Sequence, residues 1–392
     1  MDLSVSNSAK RTNRSYTVLI WLLFVMLICD LVEAPIPYEI YSFGTIVCCF
    51  LFIIFNNKYL DKKNIIYFGV FCFCIFLSAL IHMSGIEDMC KISSFLAILF
   101  ISSDFKISSK TVKHLYCATL ILGMALLLFA PLGDLNTTII KGVSFLKKVN
   151  PNASAFYMYS VAIISIVFAS IYKGKKRLLN IIIFCIATVG IILFKSRTCL
   201  MCLLISMFFL VLFKYIKGDH KTRFLALLAV LGIIFAYFYA VILFDLVGGT
   251  GKVEIFGKDL FTGRQKIWQS AFLRLDGNYL FGIGNTLAEG TENVAYTSNI
   301  HNQFLSIMTI YGLPTAIMFI LCLTKFINSL VDNKKQYYII LSVGISFIVG
   351  CYFETYLQMF RSLVCAINIF ILMIGVFEMG GIKNVKRDSA GV

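Results

Sequence analysis

The sequence predicts an all-α polytopic membrane protein with about twelve transmembrane helices. Three observations predict it. First, 59% of the 392 residues are hydrophobic and only 14% are charged, against about 45–50% and about 25% in soluble globular chains. This double departure excludes a soluble enzyme, and so high a hydrophobicity excludes a disordered chain. Second, apolar runs of about 17–22 residues, long enough to cross a hydrocarbon core, recur from end to end. Third, the basic residues cluster in every other joining segment.

The runs lie near 16–33, 38–56, 64–82, 88–103, 112–131, 153–172, 178–194, 199–216, 224–244, 301–324, 337–353 and 361–379. Residues 1–16 are polar and basic. No small-residue cleavage site stands out, so the first run reads as a retained span. The fourth run is short and contains Lys91. With a cytoplasmic N-terminus, each of seven inner segments holds three or four basic residues, from Lys10, Arg11 and Arg14 to Lys383, Lys386 and Arg387. Every short loop then obeys the positive-inside rule, and both termini are cytoplasmic. The same rule accounts for the net charge of +15. A nucleic-acid role is set aside, because no basic stripe lies on a soluble domain.

The thirteen cysteines fall in or beside the apolar runs and read as small buried hydrophobes. Cys199-x-x-Cys202 has redox or metal spacing, but the second half of such a metal site is missing. Most loops are short. The exceptions are outer segments 132–152 and 245–300. Three units follow: nine spans over 1–244, the long loop 245–300, and three spans with a short tail over 301–392. In the long loop, Gly248 to Gly251 break the chain. Residues 265–275 place Ile267, Trp268, Ala271, Phe272 and Leu275 at helical spacing. This segment is expected to lie on the outer interface as an amphipathic helix, with Trp268 as a lipid anchor.

Polar residues kept at the membrane mark function, and four outer elements stand out. Arg197, in Lys195-Ser196-Arg197-Thr198, sits on the tight turn between spans seven and eight, against the topology bias. Arg264, in Thr262-Gly263-Arg264, stands at the N-terminus of the loop helix, where backbone N–H groups and a guanidinium fork suit a phosphate. His301, at the start of span ten and followed by Asn302, can take a proton from a hydroxyl near neutral pH. Arg361 opens the last span after Glu354 and could pair with it or face the same cavity. Each also has a plainer reading: a snorkelling charge, a headgroup contact or an interfacial polar residue. The long loop has no Asp-x-Asp pair, so metal-independent chemistry is expected, with arginine neutralising a phosphate leaving group.

The chain resembles the bacterial O-antigen polymerase (Wzy-type) and O-antigen ligase superfamily. The matching stretches are Asn150-Pro151-Asn152, Ser196-Arg197-Thr198, Thr262-Gly263-Arg264 with Trp268, Leu280-Phe281-Gly282-Ile283-Gly284, His301-Asn302-Gln303-Phe304-Leu305 and Tyr311-Gly312-Leu313-Pro314. They run from about 150 to 320, and residues before 140 match only in being apolar spans. The resemblance implies a GT-C-like glycosyltransferase of the inner membrane, working on the periplasmic side. Its donor is an undecaprenyl-pyrophosphate-linked oligosaccharide, its other contacts are membrane lipid and a chain-length regulator, and it needs no cofactor. Arg197 and Arg264 match the family's phosphate-binding arginines, and His301 matches its base. Asn302 joins the substrate-binding set beside His301, and Arg361 joins it by position alone. Gly282 and Gly284 read as a structural turn, since no third glycine or βαβ context makes them a dinucleotide fingerprint.

Three functions are open at this point. In a polymerase the acceptor is another lipid-linked repeat unit. In a ligase it is the outer sugar of lipid A-core. A flippase for lipid-linked sugars also fits a many-span chain with a basic face. Against the flippase, the polar clusters lie on one face, whereas transporters place such sites near the midplane.

Overall fold

A computed structural model describes residues 11–12, 14–31, 38–129, 151–215, 221–239, 254–255, 258–259, 264–284, 300–329, 337–358, 362–373 and 375. Its long elements are helices: α1 (Arg14–Leu31), α2 (Tyr38–Asn56), α3 (Lys62–His82), α4 (Ile86–Asp104), α5 (Ser109–Phe129), α6 (Pro151–Ile171), α7 (Lys175–Leu193), α8 (Arg197–Tyr215) and α9 (Lys221–Tyr237). Next come α10 (Arg264–Leu275), α11 (Gln303–Tyr311), α12 (Leu313–Ser329), α13 (Tyr337–Gly350) and α14 (Ser362–Met373). Short bridges add β1 (Arg11–Thr12), parallel to β2 (Phe105–Lys106), and β3 (Glu254–Ile255), antiparallel to β4 (Lys258–Asp259).

Five helices among the described residues are long and apolar enough to cross a membrane. Several helix hydroxyls are satisfied locally, as a lipid solvent demands. Thr45, Ser94, Ser102, Thr119, Ser160 and Ser342 each donate to the carbonyl four residues back. α3 and α7 leave much of their apolar surface exposed, whereas α4 buries every residue from Cys90 to Ser103. Small residues let backbones approach: Gly190 of α7 lies against Met158 of α6. Rings then fill the interior, with Phe95 against Phe347 at 5.6 Å and Phe100 stacked on Phe326 at 5.6 Å. Tyr159 of α6 bonds Ser206 of α8 (3.2 Å) and Ser346 of α13 (2.7 Å), which ties three helices together deep in the bundle.

Two expectations meet a different structure, and a third, the short fourth run, is met by α4, a helix that the bundle buries. Its Lys91 is 5% exposed and pairs with Glu87 at 2.7 Å and Asp88 at 3.3 Å, so the buried charge is compensated. The tenth span, expected over 301–324, is two helices, α11 and α12. Their junction is Gly312, at φ +87°. The ring of Phe304 lies 6.2 Å from that of Phe319. A straight helix would set residues 15 apart about 22 Å away along its axis, so the two helices fold against each other. Finally, the loop helix 265–275 exists as α10, but Trp268 is no lipid anchor. It is fully buried, edge-on to Phe235 and Tyr239. The apolar stripe meant for lipid is covered by α9 and by the chain before α11.

The break at Gly312 is held by the chain after α10. Ile283 N–H donates to Thr309 O (2.8 Å), Gly284 N–H to Ile310 O (3.1 Å) and Leu313 N–H to Tyr279 O (2.7 Å). Gly282 and Gly312 both have positive φ, and the approach is so close that a Cβ on Gly282 would meet Ile310 O at 2.6 Å. Gly284 likewise has φ +66°, so Gly282 and Gly284 form a structural turn, as the sequence suggests.

A matched pair of variants tests this interlock. Gly277 has φ +77°, close to the +74° of Gly282, but nothing within 4 Å of an added Cβ. Both Gly277→Ala and Gly282→Ala carry the left-handed strain. Gly282→Ala also carries the clash and is expected to cost about 1–3 kcal/mol more, read as a lower unfolding temperature of the detergent-solubilised protein. Equal unfolding temperatures would refute the interlock.

Candidate functional site

Several helix ends converge on one face of the bundle: the C-terminus of α3, the N-termini of α4, α6 and α8, the α10–α11 region, and the turns after α13. Glu354 stands in those turns. Its N–H donates to Gly350 O at 3.1 Å, at the frayed end of α13. The segment 351–358 is pinned from two sides. Gln303, at the start of α11, donates its N–H to Cys351 O (2.8 Å) and accepts from Leu357 N–H (2.9 Å) through Oε1. Lys91 donates to Gln358 O (2.7 Å), and the Gln358 amide donates to Ser306 Oγ (2.6 Å).

Glu354 is 2% exposed, and each carboxylate oxygen has a cationic or imidazole partner. Arg264, the first residue of α10, donates from Nη2 to Oε1 at 2.8 Å. Asn152, at the start of α6, donates to the same oxygen at 3.3 Å. His301 Nδ1 faces Oε2 at 3.2 Å. One buried carboxylate therefore joins a guanidinium and an imidazole that lie 37 positions apart in the sequence. Burying a charge demands such pairing.

His301 adopts φ +53°, the left-handed region. For a residue with a Cβ this conformation costs about 1–2 kcal/mol, and it persists where the surroundings fix it. Both flanks are fixed. On one side, Trp268 Nε1–H donates to Ile300 O at 2.8 Å. On the other, Asn302 caps α11, its Oδ1 accepting from Leu305 N–H at 2.9 Å while its amide donates to Gly232 O at 3.4 Å.

The sequence-derived residues fare differently. Arg264 and His301 meet at Glu354. Arg197 is exposed and opens α8, directly after Ser196, whose Oγ accepts from Cys199 N–H at 3.5 Å. Cys199 Sγ lies 3.9 Å from the hydroxyl of Tyr356, two residues beyond Glu354, so α8 begins beside the same segment. Asn302 is fully buried, with the cap and the Gly232 contact engaging its amide. Arg361 lies outside the described residues, as do Thr262, Gly263 and the glycine run 248–251. His82 lies against Gly284, and its Nε2 is buried without a hydrogen-bond partner among the described residues. Among the described residues, no trio of His, Cys, Asp or Glu is placed to hold a metal ion.

Sequence reasoning underrated Glu354 and Asn152. In the sequence, Glu354 stands out only as a partner for Arg361. The signal that could have raised it is its position: a lone acid in a short segment on the face that carries the arginines and His301. Chemically, a carboxylate on Nδ1 of an imidazole fixes the ring and selects the tautomer. A guanidinium alongside supplies planar donors for an anion.

Residues 181–320 match a family model described as O-antigen ligase. No curated protein matches the chain. The matched stretch begins within α7 and ends within α12. It contains Arg197, Arg264, His301 and Asn302, whereas Asn152 and Glu354 lie outside it. Through residues 181–320, about a third of the chain, the protein is similar to the O-antigen ligase family, which supports a place in the O-antigen ligase and polymerase superfamily.

Proposed function

We propose that this protein is a surface-polysaccharide polymerase of the bacterial inner membrane, with twelve spans, both termini cytoplasmic and its working face periplasmic. It transfers an undecaprenyl-pyrophosphate-linked oligosaccharide to a sugar hydroxyl of another lipid-linked repeat unit, without a metal. The observation that carries this reading is the Glu354 carboxylate shared by Arg264 and His301. It sets a base beside a phosphate-binding cation, the pair that glycosyl transfer from a pyrophosphate requires.

The steps follow from the groups. Glu354 accepts the Nδ1–H of His301, which leaves Nε2 as the basic nitrogen. Nε2 takes the acceptor hydroxyl proton as the oxygen attacks the anomeric carbon. The bond from that carbon to the pyrophosphate oxygen breaks, and the lipid pyrophosphate leaves with the electron pair. Arg264 and Arg197 counter the charge that develops there, and Arg361 is proposed to add to them. Asn302 acts from behind, by capping the helix that follows His301.

The ligase is the second reading, favoured by the description of the matching family. Its donor and chemistry are the same, and its acceptor is the outer sugar of lipid A-core. Disrupting the gene in its source strain and resolving the surface polysaccharide on a gel separates the two. Single repeat units on the core, with no ladder, are expected for the polymerase. Loss of all attached polysaccharide, with polymer retained on the carrier, would identify the ligase. An unchanged ladder would refute both.

Glu354→Gln keeps the side-chain shape but removes the charge that orients His301. Turnover is expected to fall about 10²–10⁴-fold, the usual span of a general acid–base contribution. His301→Gln is expected to lose at least as much. The measurement is transfer by purified protein from a lipid-linked repeat unit. Full transfer by His301→Gln would sink His301 as the base, whereas a flippase would show no transfer even as the parent protein, an outcome that would sink the glycosyltransferase reading.

A further inference from the structure

We propose that Trp268 is a positioning residue for His301, acting through the carbonyl of Ile300; this rests on the role of His301 proposed above. The indole N–H is a donor only, and its acceptor is the carbonyl immediately before His301. That peptide is the N-terminal flank of the one link that must stay left-handed to present the imidazole to Glu354. The C-terminal flank is already fixed by the Asn302 cap and by the Gln303 N–H bond to Cys351 O. The indole is itself immobile. It is fully buried, and its ring lies 6.2 Å from Phe235 and 6.1 Å from Tyr239, edge-on to both.

The spacing adds a second argument. Trp268 follows Arg264 by four residues on α10, so the two share one face, a turn apart. α10 therefore reaches Glu354 twice. Arg264 bonds it directly, and Trp268 reaches it through Ile300 and His301. One rigid helix sets the separation between the cation that meets the leaving group and the base that meets the acceptor. A hydrophobic side chain at 268 would fill the same space without holding the Ile300 carbonyl.

Trp268→Phe keeps a ring against Phe235 and Tyr239 and removes the donor. With an undecaprenyl-pyrophosphate-linked repeat unit as substrate, and full-length protein in nanodiscs, kcat is expected to fall about 10- to 100-fold with KM for the donor near that of the parent. A second readout is independent of turnover: the ring resonances of isotopically labelled histidine. The His301 signal, assigned by its loss in His301→Gln, is expected to shift in Trp268→Phe while the other three histidine signals hold. An unmoved His301 signal, or an unchanged kcat, would overturn the proposal. If instead His301→Gln transfers at the parent rate, the proposed base role of His301 fails, and the resonance shift still tests whether Trp268 positions His301. Should Trp268→Phe not fold, the parent chain supplies the test. It has two tryptophans, so Trp21→Phe leaves Trp268 as the sole indole, and its N–H is expected to resist hydrogen exchange strongly. Exchange at the rate of a free indole would overturn the proposal.

Discussion

A carboxylate buried to 2% exposure holds the candidate site together. Such a charge is tolerated where its oxygens are matched by donors, and Glu354 meets that condition only by gathering donors from distant elements. Arg264 comes from the start of α10, Asn152 from the start of α6 and His301 from the chain before α11. The arrangement of those three elements is therefore linked to a single side chain in the turns after α13. Removing the charge would leave Arg264 and His301 each without the partner that orients it.

The geometry around Glu354 depends in turn on how the chain departs from regular helix. His301 is left-handed, and Gly312 breaks what hydropathy reads as one span. The two departures bracket α11, a nine-residue helix buried along its whole length. Helices of this length are marginal alone. Here the cap from Asn302, the bonds of Gln303 to 351–358 and the strap of residues 279–284 hold it at both ends.

Hydropathy made much of the helical scaffold legible. Long apolar runs have one outcome in lipid, because every backbone polar group must be satisfied within the segment. The loop helix at 264–275 was legible from its periodicity, and the glycines at 282 and 284 from their lack of any nucleotide-binding context. The surroundings of Trp268 and the break at Gly312 were not legible. An apolar stripe reads the same whether lipid or protein covers it, and a glycine in an apolar run reads the same whether the helix continues or folds back.

The sequence by itself determined a helical membrane chain, the face on which its polar residues collect, and Arg197, Arg264 and His301 as the side chains to watch. These follow from residue type and from distance along the chain, which fix hydrophobicity, charge and helical phase. Only the tertiary structure decided that Arg264 and His301 share Glu354, that Asn302 caps a helix and that Trp268 holds the carbonyl before His301. Each of these is a contact across 32 or more positions, apart from the local cap. Such contacts arise from how the helices pack, and helix packing depends on shape complementarity that no local pattern in the sequence encodes.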